Sequence, residues 1–330
     1  METVPAQHRS LIFYTKYYNM NGPLVTIVLP TYNGSRYLRQ SLDSCLIQTY
    51  TNFELLIVND CSTDNAAEIA AEYVAKDARV RLINNTVNKR LPASLNTGFD
   101  EAKGTYFTWT SDDNYYAPDA LERMVKILAE KPEIDLVYCD YIQIDDDNKE
   151  VGIMKFNDIN QSIITWEGCG ACFLYKKEVH LRNKGYNVSA FMIEDYDFFL
   201  RAYMHSKFYY LPEHNVYYYR VHAASLTGTM STAVQDLQKI VVEKQLPALV
   251  QHISKRDEML YYRKFAVFYA VFKENQPKMK FYLQQLYKMS PKQAFIALAY
   301  ITFRKVKGAI VIPFSFAFSL LKIAFSGNKA

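Results

Sequence analysis

The feature that most constrains the fold is a regular alternation of short apolar runs and amphipathic stretches from Leu24 to about Asp140. The apolar runs are rich in β-branched and aliphatic residues, which is typical of buried strands. The stretches between them carry apolar residues at helical spacing. Strands that recur every ~25–30 residues with helices between them predict βαβ units and a mainly parallel sheet. The predicted strands are residues 24–29, 53–58, 80–83 and 106–109, separated by helices at 35–48, 66–76 and 94–103.

The pattern is less regular after this segment. A helix is expected to about residue 130, then a strand-like run at 134–144 and a polar, irregular stretch at 145–165. Further strands are expected at 170–175, 209–211 and 216–221, a helix at 196–204, and only helices from about Thr232 onwards. We therefore expect three regions: an N-terminal extension at 1–22, an α/β domain at 23–230 and a C-terminal helical region at 231–330.

Composition places the chain among globular proteins, since half of it is apolar and 22% is charged, which excludes disordered and collagen-like classes. Five cysteines, an odd number in a long chain, favour a reducing compartment. Cys169 and Cys172 have C-x-x-C spacing, but no second pair or nearby His supports a zinc site, so two buried small residues are expected. Residues 1–22 have no apolar core typical of a secretory signal.

The net charge of +4 combines two regions of opposite sign. From Lys255 to Ala330 there are 14 Lys and Arg against 3 Asp and Glu, a net charge of +11. The first 254 residues carry 24 basic and 31 acidic side chains, a net charge of −7. A one-signed basic segment of this kind is expected to meet an anionic surface, either a membrane or nucleic acid.

Apolar residues are interleaved with this basic charge. Residues 278–307 contain seven basic residues and no acid, and the uncharged run at 308–321 is interrupted by Pro313 and is too short for a spanning helix. Apolar blocks bordered by Lys and Arg favour helices that lie in the headgroup region of an anionic bilayer. The alternative is a small helical subdomain. Nucleic acid fits less well, because no recognition motif accompanies the charge. The phenylalanines of this segment are Phe303, Phe314, Phe316, Phe318 and Phe325.

Polar side chains follow three of the predicted strands where each strand ends, at residues 30–33, 59–64 and 111–114. Ligands of parallel sheets bind at the carboxyl ends of the strands. The adjacent carboxylates of Asp112 and Asp113 repel each other unless a cation or hydrogen-bond donors hold them. A divalent cation bridging carboxylate and phosphate oxygens would relieve this repulsion and indicates a nucleoside diphosphate site. The alternative is a simple helix cap before Ala117.

Together these motifs resemble the family 2 glycosyltransferases, which have the GT-A fold, over some 200 residues from Leu24 to about Ser225. The order and spacing of the motifs both fit, although Ser111 replaces the first Asp of the metal motif and Asn59-Asp60-Cys61 replaces the usual Asp-Asp-Gly. The matching segments are VLPTYN at 28–33, QTYTNFELLIVND at 48–60, CSTD at 61–64, NTG at 96–98, AKG at 102–104, SDD at 111–113, PD at 118–119, EDYD at 194–197 and YRVH at 219–222.

The resemblance implies an α/β chain of GT-A type, with a Rossmann-like, mixed but mainly parallel sheet flanked by helices and a basic helical C-terminal extension. It implies that Thr31 and Tyr32, between Pro30 and Asn33, hold the nucleoside, with Tyr32 against the base. Asp60 corresponds to the carboxylate that reads the base, usually uracil.

For the diphosphate, the resemblance implies that Asp112, after Ser111, bonds the ribose or donor sugar and that Asp113 ligates a divalent metal, Mn²⁺ or Mg²⁺. His222 corresponds to a histidine near the diphosphate or the metal. Arg90 is a candidate phosphate or donor contact, and its alternative is a solvated loop arginine.

For the acceptor, the resemblance places the general base on Asp195, because a sugar hydroxyl must lose its proton during attack. Glu194 would orient the acceptor or the loop, and Asp197 would be structural or contact a sugar. Without the family, both members of the 194–195 pair could simply stabilise a helix N-terminus. Trp166 resembles the aromatic that stacks on acceptor sugars, and its alternative is a core tryptophan.

These residues lead to the hypothesis of an inverting, metal-dependent glycosyltransferase that uses a nucleotide sugar, which the family favours as UDP-linked. The expected acceptor is a glycan or lipid-linked sugar in cell-surface polysaccharide assembly, with the protein cytoplasmic and peripheral on the inner face of the membrane. The alternatives are a nucleotidyl- or phosphotransferase, disfavoured because no phosphate-gripping Gly-rich loop is found, and a non-catalytic binding module.

Overall fold

The structure is a computed structural model that describes residues 22–164, 166, 168, 171–222, 231–271 and 275–307. Residues 1–21, Cys169 and the run at 308–321, with Phe314, Phe316, Phe318 and the later Phe325, lie outside the described residues. The strands are β1 (Val25–Thr31), β2 (Phe53–Asn59), β3 (Val80–Asn84), β4 (Tyr106–Trp109), β5 (Tyr115–Tyr116), β6 (Leu136–Cys139), β7 (Tyr141–Ile144), β8 (Glu150–Met154), β9 (Phe173–Lys176), β10 (Phe208–Leu211) and β11 (Tyr217–Arg220). The helices are α1 (Ser35–Leu46), α2 (Ala66–Lys76), α3 (Leu91–Asp100), α4 (Ala120–Glu130), α5 (Lys177–Asn183), α6 (Glu194–Tyr203), α7 (Ser231–Leu249), α8 (Lys255–Val271), α9 (Gln276–Met289) and α10 (Pro291–Lys307), with a 3₁₀ turn at Val188–Ala190.

A seven-stranded sheet in the order β10-β6-β9-β4-β1-β2-β3 forms the centre of the fold. All of its neighbouring strands are parallel except β9, which runs antiparallel to β4 and β6. Every residue of β1 and β2 is buried, as expected for central strands covered on both faces. The predicted mixed, mainly parallel sheet is therefore confirmed.

The strand order reverses beside β1, which lies between β2 and β4. In open α/β sheets, such a switch point leaves a crevice at the carboxyl ends of the strands, because the connections leave β1 in opposite directions. Thr31, Asn59 and Trp109 end the three strands at this crevice. The fold therefore brings the three polar strand ends of the sequence to one place.

A second, four-stranded sheet in the order β5-β11-β7-β8 accompanies the first. The run at 134–144, predicted as one strand, is two strands that separate at Asp140, so that β6 joins the large sheet and β7 the small one. Asp140 is buried, and its Oδ1 accepts hydrogen bonds from the Phe156 amide at 2.8 Å and the Tyr210 hydroxyl at 2.8 Å. A buried carboxylate with these partners explains the break.

The described residues form two compact units. The first comprises those up to Gln161 and from 166 to Val242, and the second comprises Ser162–Ile164 and those from Glu243 onwards. The boundary predicted between 230 and 231 lies at the start of α7, before the division between Val242 and Glu243. None of the helices in the described part of the chain has the length and apolarity needed to cross a membrane.

Candidate active site

The loop after β1 is built around a contact between Gly34 and Asp112. The buried Thr31 donates a hydrogen bond from Oγ1 to Asp112 Oδ2 at 2.6 Å. A Cβ added at Gly34 would lie 1.9 Å from the same Oδ2, so only glycine leaves room for this carboxylate. Tyr32, by contrast, is 51% exposed. Pro30 is buried within β1.

Asn33 and Asp60 connect the ends of β1 and β2 to the loops around them. Asn33 has a φ of 56°, in the left-handed region that asparagine tolerates, and its Oδ1 accepts from the Thr63 amide at 2.7 Å. Asp60 is buried, and its carboxylate accepts from the Asn85 side chain and from the Lys89 and Arg90 amides, each at 2.8 Å. A carboxylate offers about four acceptor positions, so these three bonds leave room for one further donor.

Arg90 links this loop to the segment before α6. Its φ of 68° is costly for a side chain with a Cβ, and the amide bonds to Asp60 Oδ2 and to Asn88 Oδ1, at 2.8 and 3.0 Å, hold it there. Its guanidinium lies 5.2 Å from the centre of the Phe191 ring, within the range of a cation–π contact. Arg90 therefore stands between the loop held by Asp60 and the segment that leads into Glu194.

Asp112 and Asp113 are adjacent in the loop after β4, but their carboxyl groups have different neighbours, Thr31 and His222. Burial, reinforced by the charge of Asp113, raises the pKa of Asp112 to about 7. Burial also raises the pKa of Asp113, and a hydrogen bond with His222 opposes this shift. The Ser111 carbonyl, directly before the two aspartates, accepts a hydrogen bond from Ser41 Oγ at 2.8 Å. This bond attaches the backbone before Asp112 to helix α1.

Asp113 and His222 form the candidate metal site. His222 Nε2 lies 3.1 Å from Asp113 Oδ2, whereas Asp113 Oδ1 is buried and has no hydrogen-bond partner among the described residues. A buried acceptor without a donor is costly, and a bound cation would satisfy it. Within the described ranges, no group of three or more His, Cys, Asp or Glu side chains is placed to hold a metal. The two residues nevertheless fit an ion that takes one or two protein ligands and completes its shell with phosphate oxygens and water.

Arg220 is a residue of this site that the sequence analysis did not single out. It is fully buried, and its Nε donates to the Asp113 carbonyl at 3.0 Å. Its terminal nitrogens donate to the Asp145 carbonyl, Gln40 Oε1 and Asn148 Oδ1 at 2.6, 2.7 and 2.6 Å. An arginine in a strand of tyrosines was the available signal, but its partners come from three distant segments, at Gln40, Asp113 and 145–148.

The carboxyl groups of Glu194 and Asp195 open α6, and their environments differ. Glu194 is 5% exposed, its Oε2 has no hydrogen-bond partner in the described structure, and burial, with the charge of Asp195, raises its pKa to about 8. Asp195 is partly exposed, and its Oδ1 accepts from the Tyr196 amide at 2.6 Å. Burial raises the pKa of Asp195, and that hydrogen bond opposes the shift. The predicted helix at 196–204 thus begins two residues earlier, with both acids in its first turn.

Asp197 and Trp166 are held by contacts within the protein. Asp197 pairs with Arg201 at 2.9 Å one turn later in α6. Trp166 is 2% exposed and stacks on Tyr196 with ring centres 5.9 Å apart, while Phe208 meets it edge-on at 6.2 Å. Its ring is therefore largely covered, and stacking on an acceptor sugar stays a prediction.

The structure thus brings the donor-side residues together at the switch point. Asp113 and Asp195 approach a common aromatic layer: besides burial, the charge of Asp113 raises the pKa of Tyr217, and that of Asp195 raises the pKa of Tyr141. The ring centres of these two tyrosines are 6.5 Å apart. The structure thus holds two pairs of carboxyl groups, one directly after β4 and one at the start of α6.

Comparison with known proteins gives relatives in sequence and in structure. The sequence profile described as "Glycosyl transferase family 2" matches residues 26–182. An uncharacterized glycosyltransferase of Rickettsia prowazekii is 30% identical over 233 residues, which cover 67% of this chain and 71% of the relative. The putative glycosyltransferase EpsH of Bacillus subtilis is 29% identical over 268 residues, 74% of this chain and 73% of EpsH.

Among solved structures, residues 1–349 of S. aureus TarS in complex with UDP-GlcNAc superimpose with a TM-score of 0.62 at 16% identity, covering 91% of this chain and 89% of that one. At this identity, the likeness supports the fold alone. Together with the sequence relatives and the confirmed sheet, it leads to one conclusion. The chain belongs to the family 2 glycosyltransferases and is a transferase enzyme with a GT-A fold.

Proposed function

We propose that this enzyme is an inverting, metal-dependent glycosyltransferase that moves a sugar from a UDP-sugar to a hydroxyl of a glycan or lipid-linked acceptor. The observation that carries the proposal is Asp113, whose buried Oδ1 lacks a partner while Oδ2 lies 3.1 Å from His222, at the switch point of the sheet. A second pair of carboxyl groups, Glu194 and Asp195, supplies an acid and a base at the start of α6.

On the donor side, Tyr32 offers an exposed ring to a nucleobase, and Asp60 keeps one acceptor position for a base N–H. Asp112 would accept a hydrogen bond from a ribose or sugar hydroxyl. Uracil is the base we favour, and a neighbour of the same fold, TarS, has been crystallised with UDP-GlcNAc. Arg90 is the candidate cation for the diphosphate, because its side chain is exposed and its guanidinium lies over the Phe191 ring.

Asp113 and His222 would hold a divalent cation, Mn²⁺ or Mg²⁺. When bound, such a cation neutralises the negative charge that develops on the departing diphosphate. Arg220 positions Asp113 through its main-chain carbonyl. The carboxylate oxygens and imidazole nitrogen are ligands that both ions accept.

On the acceptor side, Asp195 is the base. The acceptor hydroxyl gives its proton to Asp195 as its oxygen forms a bond to the anomeric carbon. The bond from that carbon to the diphosphate breaks, and its electron pair leaves with UDP. Attack from the opposite face inverts the configuration in one displacement.

The environments of the acidic pair explain the division of labour between them. Burial and the charge of Asp195 raise the pKa of Glu194 to about 8, and its Oε2 has no hydrogen-bond partner among the described residues, so Glu194 retains its proton up to about pH 8. The single negative charge of the pair then rests on Asp195, where the Tyr196 amide stabilises it. A neutral Glu194 can donate a hydrogen bond to the acceptor or to the loop.

The setting that we propose is cell-surface polysaccharide assembly at the cytoplasmic face of the membrane. The support is the net charge of +11 from Lys255 onwards, which suits an anionic lipid surface. A lipid-linked acceptor would lie in that surface.

The test is UDP release and sugar transfer with candidate UDP-sugars and Mn²⁺. Asp195→Asn should lower kcat by about 10²–10⁴-fold and leave UDP binding intact, because it removes only the base. Asp113→Asn should weaken Mn²⁺ and UDP binding together. Asp100→Asn, an exposed aspartate at the end of α3, is the matched control and should keep full activity. Full transfer by Asp195→Asn would refute the base assignment.

A further inference from the structure

Helix α10 buries Ala294, Ala297 and Ile301 but leaves three large apolar residues exposed. Ala294 and Ala297 are buried, and both contact Leu286 of α9 in one apolar cluster. Phe295 is 60% exposed, and Ile296 and Tyr300 are 41% and 46% exposed. A surface helix of a globular protein usually keeps its large apolar residues on the side that faces the core.

The outward residues form one continuous face. At 100° per residue, Lys292, Phe295, Ile296, Ala299 and Tyr300 occupy less than half of the helix circumference. All five are exposed. The buried residues Ala294, Ala297 and Ile301 lie on the opposite side of α10, so internal packing does not cover the five exposed ones. We call these five residues the outward face of α10.

The charge around this face has a single sign. Residues 278–307 contain seven Lys and Arg and no Asp or Glu. Lys278 is paired with Glu243 at 2.9 Å, whereas Lys288 and Lys292 are exposed. A partner must therefore combine anionic groups with an apolar layer beneath them. An anionic lipid bilayer has this combination, and a nucleic acid offers no layer for Ile296 and Phe295.

We propose that the outward face of α10 binds an anionic bilayer surface, with Phe295, Ile296 and Tyr300 among the lipid headgroups and Lys288 and Lys292 at the phosphates. This inference deepens the membrane setting proposed above and rests on it. It names the surface that makes the contact. It does not require that the enzyme span the bilayer.

The experiment is flotation of the full chain with vesicles of phosphatidylglycerol and phosphatidylcholine, and with vesicles of phosphatidylcholine alone. The triple variant Phe295→Gln, Ile296→Gln, Tyr300→Gln should lower the fraction bound to the anionic vesicles at least about tenfold, because burial of apolar area drives interfacial binding. The matched control is Val151→Gln with Ile153→Gln, since these residues of β8 are 57% and 47% exposed. The control should bind as the unchanged chain does.

Unchanged binding by the triple variant would overturn the proposal, as would equal binding to both vesicle types. A dimer that the triple variant loses, without any vesicle binding by the unchanged chain, would assign the face to a second copy and also overturn it. UDP release from a UDP-sugar in vesicle-free buffer separates this inference from the catalytic proposal. We expect the triple variant to retain that activity, and vesicle binding without any UDP release would refute the catalytic proposal alone.

Discussion

Asp112 lies against the backbone of Gly34, and this contact shows how single residues shape the crevice. The carboxylate occupies the space in which a side chain at position 34 would stand, and Thr31 orients it with a 2.6 Å hydrogen bond. The loop between β1 and α1 is thus fitted to a carboxylate that belongs to the end of β4. Asp113 beside it turns to His222 instead. Neighbours in sequence therefore serve different partners.

At this scale, the sequence predicted which residues carry charge at the strand ends but not their partners. Asp60, Asp112 and Asp113 could be found because strand ends of a parallel sheet are where ligands bind. Arg220 could not be found, since its four acceptors come from segments that only the folded chain brings together. The hydrogen bonds that Asp60 accepts from the amides of Lys89 and Arg90 could not be predicted for the same reason.

Glu194 provides a prediction on pH and stability. Its pKa is about 8 in the folded protein against an ordinary value of 4.5. Between these two values the folded protein keeps a proton that the unfolded chain releases, so this group lowers the stability as the pH rises. Glu194→Gln has no such proton. The Tm of Glu194→Gln relative to that of the unchanged protein should therefore rise from about pH 5 to 8 and stay constant above this range.

Thermal denaturation across this pH range measures the difference. Glu130→Gln, at an exposed position at the end of α4, serves as the control and should show no such trend. A Tm difference for Glu194→Gln that does not change with pH would mean that Glu194 ionises at its ordinary pKa.

At the scale of elements, the apolar runs predicted β1 to β4 because buried parallel strands are continuous in their hydrophobicity. Elements whose stability comes from tertiary contacts were missed. The polar stretch 145–165 was expected to be irregular, yet it contains β8, which pairs with β7 in the second sheet. Helix α3 begins at Leu91 rather than at 94, with Pro92 in its first turn, where proline is well tolerated.

Arg220 connects three elements, and its replacement tests whether this connection supports the metal site. Lysine keeps the charge but cannot reach the Asp113 carbonyl, Gln40 and Asn148 at once. Arg220→Lys should lower the free energy of unfolding by about 2 kcal/mol, because buried acceptors lose their donor. It should also weaken Mn²⁺ binding about tenfold, as loss of a supporting residue does at metal sites.

Mn²⁺ affinity can be followed by the paramagnetic resonance of the free ion, and stability by urea unfolding. Arg36→Lys is the control, since Arg36 is exposed and contacts Asp146 in a 3.4 Å ion pair and the Tyr37 ring at 4.7 Å, without contacting Asp113. Lower stability with unchanged Mn²⁺ affinity would show that Arg220 is structural and does not position Asp113.

At the scale of the whole molecule, charge and compactness divide the chain in similar places. The acidic part, with a net charge of −7, contains the carboxyl groups of the crevice, and the basic part begins at Lys255, shortly after the second unit starts at Glu243. Composition alone predicted this division of charge. It could not predict that Glu243, an acid, would organise the helices of the basic unit.

Glu243 accepts hydrogen bonds from Tyr269 of α8 and from Tyr282 and Lys278 of α9. Burial raises the pKa of Glu243, but these donors outweigh it and lower the pKa overall. Glu243→Gln replaces charge-assisted bonds with weaker neutral ones and should lower the free energy of unfolding by about 3 kcal/mol. Every one of these contacts lies in the second unit, so UDP affinity should remain unchanged. Calorimetric unfolding and UDP titration of the full chain with Mn²⁺ measure both quantities, and Glu133→Gln, an exposed acid of the first unit, is the control. Weaker UDP binding by Glu243→Gln would contradict the prediction, because the donor site and the helices around Glu243 would then depend on each other.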